Sequence, residues 1–125
     1  MSESSTSRAF ERLRKKLEGE VLWIYVSNLL LEENGLSVVE LKKRLKEKFL
    51  ISTKTVYLYT VLYRMEREGL IRRETREGKE SVYFLENKGK ESVYFLENKG
   101  KEVYMRGLEY LKSKLELLSM RNRTD

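Results

Sequence analysis

Apolar residues near the start of the chain recur at steps of three and four. Phe10, Leu13, Leu17, Val21 and Ile24 fall in one line that Asn28 continues, which is the spacing of one helix face. Gly19 interrupts the line, so the pattern predicts a short first helix and a second from about Glu20 to Glu33. Glu33, Asn34 and Gly35 then read as a C-cap, with Gly35 free to take positive φ. Ser37 followed three residues later by Glu40 has capping-box spacing. The helix it opens sets Val38, Leu41, Leu45 and Phe49 on one face and Lys42, Lys43, Lys46 and Lys48 elsewhere. A brief connector leads to Ser52-Thr53-Lys54-Thr55, a segment suited to cap a helix from about Thr53 to Glu68 that ends at Gly69. The stripe expected to be buried on that helix is Leu58, Tyr59, Leu62 and Met65.

After Gly69 the period changes from 3.6 to 2. "LIRRETR" reads as a strand, "EGK" as a turn and "SVYFLE" as a second strand. The helical period returns in the last segment, where Tyr104, Leu108, Leu111, Leu115 and Leu118 step by four and three in alternation. That is a heptad seam. On a terminal helix pointing away from the core it predicts a partner helix, and so a homodimer. Residues 1–7 are small and polar and are expected to form a loose tail.

The eleven residues "GKESVYFLENK" occur twice, letter for letter, at 78–88 and 89–99, and a third copy begins at Gly100 before dissolving. Each copy carries two Lys and two Glu, so the surplus copy adds no net charge. The last helix must start at the base of the hairpin. One copy therefore fills the strand slot and the other is an insertion, either at the hairpin tip, with copy two in the slot, or between strand and helix, with copy one in it. We favour the first arrangement; exchange of a strand between protomers is the alternative. The repeat reads as one structural element written twice.

At 125 residues the chain is the length of one domain with a modest core. Its 26 Lys and Arg exceed its 20 Asp and Glu, giving a net charge of +6. Such a balance favours polyanionic partners, nucleic acid first. It has no Cys and no His. That removes disulfides, thiolate chemistry, the usual zinc ligands and the usual general base near neutral pH. No catalytic residue, metal or cofactor is expected. The longest apolar stretch, Val21 to Leu31, is too short for a bilayer and is broken by Ser27 and Asn28, so a cytoplasmic protein without a membrane partner is expected. Charged residues make up 37%, rich in Lys, Arg and Glu, and with the lack of Cys that pattern points toward a thermophilic source.

Helix, helix, helix, two-stranded ribbon is the order of a winged helix-turn-helix, in the α+β class but mostly α, here with the heptad-bearing helix as a C-terminal dimerisation helix. In that fold the third helix enters the major groove and the ribbon, or wing, lies along the backbone. The expected reading residues are Ser52, Thr53, Lys54 and Thr55 at the helix start, where exposed N–H groups favour phosphate, with Tyr57, Thr60 and Arg64 along it. Arg72, Arg73 and Arg76 on the ribbon and Lys79 at its turn make a clamp for the backbone. Against this stand two plainer readings: Tyr57 as half-buried packing, and the arginines as solvation of an edge hairpin. The domain is expected to span residues 8–100, with the duplicated segment at 78–99 and a dimerisation helix at 101–125.

The stretch "YTVLYRMEREGLIRRE" (Tyr59 to Glu74) and the following "GKESVYFLENKGKE" resemble the PadR-type winged-helix repressors. The residues that carry the likeness are Tyr59, Leu62, Tyr63, Arg64, Glu66, Glu68, Gly69, Leu70 and Ile71, then Tyr94, Leu96 and Gly100; Tyr83, Leu85 and Gly89 match equally well. The likeness spans about residues 20–120, and with this composition an archaeal member is expected. It departs from the family where Thr53, Lys54 and Thr55 replace a Pro or Gly, and where a His-Gly-Tyr group before the second helix is absent. The resemblance implies a repressor that binds double-stranded DNA at an inverted repeat as a dimer joined through its terminal helices. A small aromatic effector between those helices, among Phe10, Trp23, Tyr104 and Tyr110, is a further expectation, against the plainer reading of those residues as dimer core. The alternative functions are a winged helix that joins proteins and a non-specific nucleic-acid or chromatin binder.

Overall fold

A computed structural model of the chain describes residues 7–77 and 90–120. Helix α1 (Arg8–Lys15) is capped by Ser7, whose Oγ accepts from the Phe10 amide at 3.0 Å. A π-helical turn, Lys16–Glu20, contains Gly19 and separates α1 from α2 (Leu22–Glu32). Val21, between them, leaves helical geometry at φ −101° and ψ 25°. The expected split at Gly19 is therefore present. At this split the Gly19 carbonyl oxygen accepts from the Tyr57 hydroxyl at 2.9 Å.

Gly35 takes φ +92° and turns the chain into a two-residue strand, β1 (Leu36–Ser37). Ser37 then caps α3 (Val38–Phe49). Its Oγ accepts from the Glu40 amide at 3.2 Å, and Glu40 accepts from the Ser37 amide at 2.9 Å, so both halves of the capping box form. Helix α3 ends at Leu50, a non-glycine residue in the left-handed region with φ +58°. Helix α4 (Thr55–Arg67) starts two residues later than the expected Thr53, with Lys54 as an N-cap that makes no side-chain capping bond. Gly69, at φ +79°, closes the turn after it.

Strands β2 (Ile71–Glu77) and β3 (Lys90–Leu96) pair antiparallel, with Arg73 opposite Tyr94. The strand slot is thus filled by the second copy of the duplicated segment. The first copy, 78–88, lies outside the described residues, as do Lys79 and the tail 1–6. The sheet has one strand more than the expected ribbon: β1 pairs with β3, giving the order β1-β3-β2.

The core lies where α2, α3 and α4 meet this sheet, among Leu22, Val26, Leu30, Leu36, Leu41, Leu45, Leu58, Leu62 and Leu96. Helix α5 (Asn98–Ser119) leaves the sheet and lies against α2. Glycines allow α5 to pack closely at the base of the sheet and against α2. A Cβ on buried Gly100 would stand 2.2 Å from the Leu70 carbonyl oxygen, and one on Gly107 would stand 2.9 Å from the Trp23 ring. Tyr104 is buried there, and its hydroxyl accepts from Asn28 Nδ2 at 2.9 Å. Lys48 donates to Oδ1 of the same Asn28 at 2.7 Å, so one polar node joins α2, α3 and α5. Beyond Tyr104 the seam is exposed at Leu108, Leu111, Leu115 and Leu118, as are Phe10 and Leu13 on α1 and Leu17 in the π-helical turn after it. Among the described residues no helix is long and apolar enough to cross a membrane.

Candidate nucleic-acid interface

The phase of α4 decides which of its side chains face outward. Leu58, Val61, Leu62 and Met65 are buried. Tyr59, expected in that stripe, is 44% exposed, and Val61 takes its place. The reason is helical geometry: positions 58, 61, 62 and 65 form one continuous i, i+3, i+4, i+7 face that residue 59 falls off. The opposite face then carries Val56, Tyr59, Tyr63 and Arg67, all exposed.

Electrically the start of α4 differs from the start of α3. There is no acidic residue in its first turn and no side-chain cap. The first amides of a helix have no partner inside the helix, so those of α4 remain available at its N-terminus. Lys54 sits at the cap, and Lys42 of α3 reaches over to donate to Thr55 Oγ1 at 3.0 Å. Two cations at the positive end of a helix dipole repel it. A bound anion would reverse that sign, and a phosphate oxygen accepting from the free amides is the arrangement such a terminus favours.

The expected reading residues divide. Ser52, Lys54, Thr55 and Arg64 are exposed, while Thr53 and Thr60 are half-buried. Thr60 donates its hydroxyl proton to the Val56 carbonyl oxygen at 3.1 Å, within its own helix. Tyr57 is turned away from the outward face: it packs on the core and donates to Gly19 O. Lys42 was not among the expected residues, and neither were Val56, Tyr59, Tyr63 and Arg67. The signal for those on α4 was present in the buried stripe, once correctly phased.

The wing arginines are not free. Arg72 Nε bonds Glu74 at 2.9 Å and Arg72 Nη1 bonds Glu97 at 3.2 Å, while its guanidinium stacks 4.5 Å over Phe95. Arg73 stands 3.6 Å from Glu66 of α4. Arg76 bonds Glu91 at 2.9 Å and the capping residue Glu40 at 3.2 Å. Partial burial pushes the Glu40 carboxyl up, but the Ser37 amide and the Arg76 guanidinium outweigh it and hold the group below the usual carboxylate range. Each of these arginines would have to exchange a carboxylate for a phosphate. The pairs of Arg72 are exposed and weak, those of Arg76 are part-buried, and the exchange is between partners of like charge.

Between α2, α4 and α5 opens a cavity of about 680 Å³, lined by Trp23, Tyr57, Tyr63, Arg64, Leu70 and Val103 among others. Of the four aromatic residues expected around an effector, only Trp23 lines it. Tyr104 is in the core, and Phe10 and Tyr110 are exposed. Among the described residues no group of acidic side chains is placed to hold a metal ion.

No protein-family model matches the sequence, and no curated protein matches it. Solved structures do resemble the fold. A PadR family transcriptional regulator from Eggerthella lenta is 20% identical, with 92% of this chain and 100% of that chain covered and a TM-score of 0.65. A PadR family regulator from Clostridium difficile is 25% identical over 80% of this chain and 98% of that one, with a TM-score of 0.56. Bacillus subtilis PadR, solved in complex with operator DNA, is 21% identical over 81% of this chain and 62% of that one, with a TM-score of 0.57. These likenesses establish the architecture: a mostly helical, PadR-like winged helix with a small antiparallel sheet.

Proposed function

We propose that the protein is a double-stranded DNA-binding transcriptional regulator. The observation that carries this reading is the start of α4, where unpartnered amides, Lys54 and Lys42 converge with no carboxylate in the first turn. In a winged helix the start of the third helix is the part that enters the major groove, with the wing along the adjacent backbone. The operator complex of Bacillus subtilis PadR supports the same use of the fold. Affinity then comes from phosphate contacts by Lys42, Lys54, Arg64 and the wing arginines, and specificity from the outward face of α4.

The finer parts of the reading follow from the apolar faces left open. Leu108, Leu111, Leu115 and Leu118 of α5, with Phe10 and Leu13 of α1 and Leu17 of the following turn, suit a homodimer joined through its terminal helices. Two copies of α4 related by a two-fold axis would read an inverted repeat, and a dimer seated on promoter DNA would act as a repressor. A small aromatic effector would bind beside Trp23, in the cavity that borders α4.

The test is a salt titration of duplex binding by Lys54→Ala and Lys42→Ala. Each should weaken binding at every sequence and lower the log–log salt slope by about one. Unchanged affinity and slope in both variants would remove the α4 terminus from the interface. The outcome would then favour a protein-joining winged helix, in which the carboxylate-bound wing arginines stay as they are.

A further inference from the structure

Val56 is the second residue of α4 and is 77% exposed, although the fold makes no use of it. A β-branched side chain at an exposed helical position gains nothing from helix propensity. Its two methyls stand at the end of α4 that Lys54 and Lys42 make attractive to phosphate. The next two turns continue the apolar surface with Tyr59 and Tyr63, 44% and 58% exposed. Thr60, one turn along, has its hydroxyl proton committed to the Val56 carbonyl oxygen, so it offers no donor to a base edge. The leading part of the outward face is therefore apolar, with cations around it.

In the major groove the apolar group that a base pair presents is the C5 methyl of thymine; the other groups there are hydrogen-bond donors and acceptors. We propose that Val56 reads a thymine methyl, making a thymine in each half-site a determinant of specificity. The inference rests on the DNA-binding reading above and deepens it by naming the base. The cationic rim supplies the phosphate contacts that would press this face into the groove.

The experiment uses the full-length protein and a randomised duplex pool. The duplex enriched by repeated binding is resynthesised with deoxyuridine in place of each thymine in turn, which removes only the methyl. At one thymine per half-site the wild-type protein should lose about fourfold in affinity, the equivalent of one buried carbon. Val56→Ala should bind the thymine duplex more weakly by a similar factor and should no longer distinguish thymine from uracil at that place. An unfolding midpoint equal to wild type shows that the variant is folded. Thymine-to-uracil changes that all leave wild-type affinity within about twofold would overturn the proposal while leaving the DNA-binding reading intact. So would a loss that persists undiminished in Val56→Ala. Failure to enrich any duplex overturns both.

Discussion

Gly100→Ala sets two effects of opposite sign against each other. Alanine is the better helix former, by at most about 1 kcal/mol, and on that ground alone the variant should be more stable. Packing predicts the reverse. The new Cβ would lie 2.2 Å from the Leu70 carbonyl oxygen and 2.6 Å from Leu96 Cδ1. Leu96 is a flexible side chain and can give way, whereas the carbonyl is backbone. It accepts from the Glu97 amide at 2.8 Å, the bond that fixes β3 to the turn as α5 begins. Overpacking of this kind costs about 1–3 kcal/mol, and loss of the hydrogen bond adds about 1 kcal/mol. After subtracting the helix term, the net loss is about 2 kcal/mol, or a Tm lower by about 8 °C for a domain of this size. Thermal unfolding followed by circular dichroism measures it. Gly19→Ala is the control, because a Cβ there meets nothing within 4 Å; its Tm should be unchanged or slightly raised. If Gly100→Ala melts at or above wild type, α5 does not dock on the β2–β3 base as described.

Leu50→Gly should raise stability by about 0.5–1 kcal/mol, because relief of a left-handed non-glycine residue outweighs the entropy of the added glycine. A urea midpoint at or below wild type would contradict that. The Glu40 carboxyl is held below its usual range, so its contribution is present above the unfolded-state pKa and is lost as pH falls through the folded one. Stability should therefore drop below about pH 4.5, and Glu40→Gln should be less stable at pH 7 but lose less on acidification; parallel pH curves would refute this. Leu111→Lys and Leu115→Lys should convert a dimer into monomers by sedimentation equilibrium with little change in helix content, since both side chains are exposed in the single chain. A wild type that is already monomeric would remove the proposed two-fold arrangement.

Local signals read well from sequence, and those that depend on distant partners did not. The capping box of Ser37 and Glu40, the breaks at Gly19, Gly35 and Gly69, and the change of period at the wing each depend on a few neighbouring residues. Strand β1 escaped notice because two residues have no period, and its pairing with Tyr94 and Val93 is purely tertiary. The phase of α4 slipped because Tyr59 looks as apolar as Val61 in a one-dimensional pattern. Tyr57 turned inward because the break at Gly19, 38 residues earlier, supplied an acceptor. The wing arginines could be counted, yet their carboxylate partners Glu97 and Glu40 are 25 and 36 positions away. The architecture was legible to that extent, and the electrostatic state of the site was not.

The central claim is that α4 and the wing bind duplex DNA through phosphate-directed cations. Its most direct test is a mobility shift with the DNA upstream of the protein's own gene against random duplex, at 50 and 200 mM salt. The account predicts tighter binding to the upstream DNA and a fall in affinity of about a thousandfold between the two salts for six neutralised phosphates. No shift with either duplex at 50 mM, or a shift that salt leaves unchanged, would contradict it.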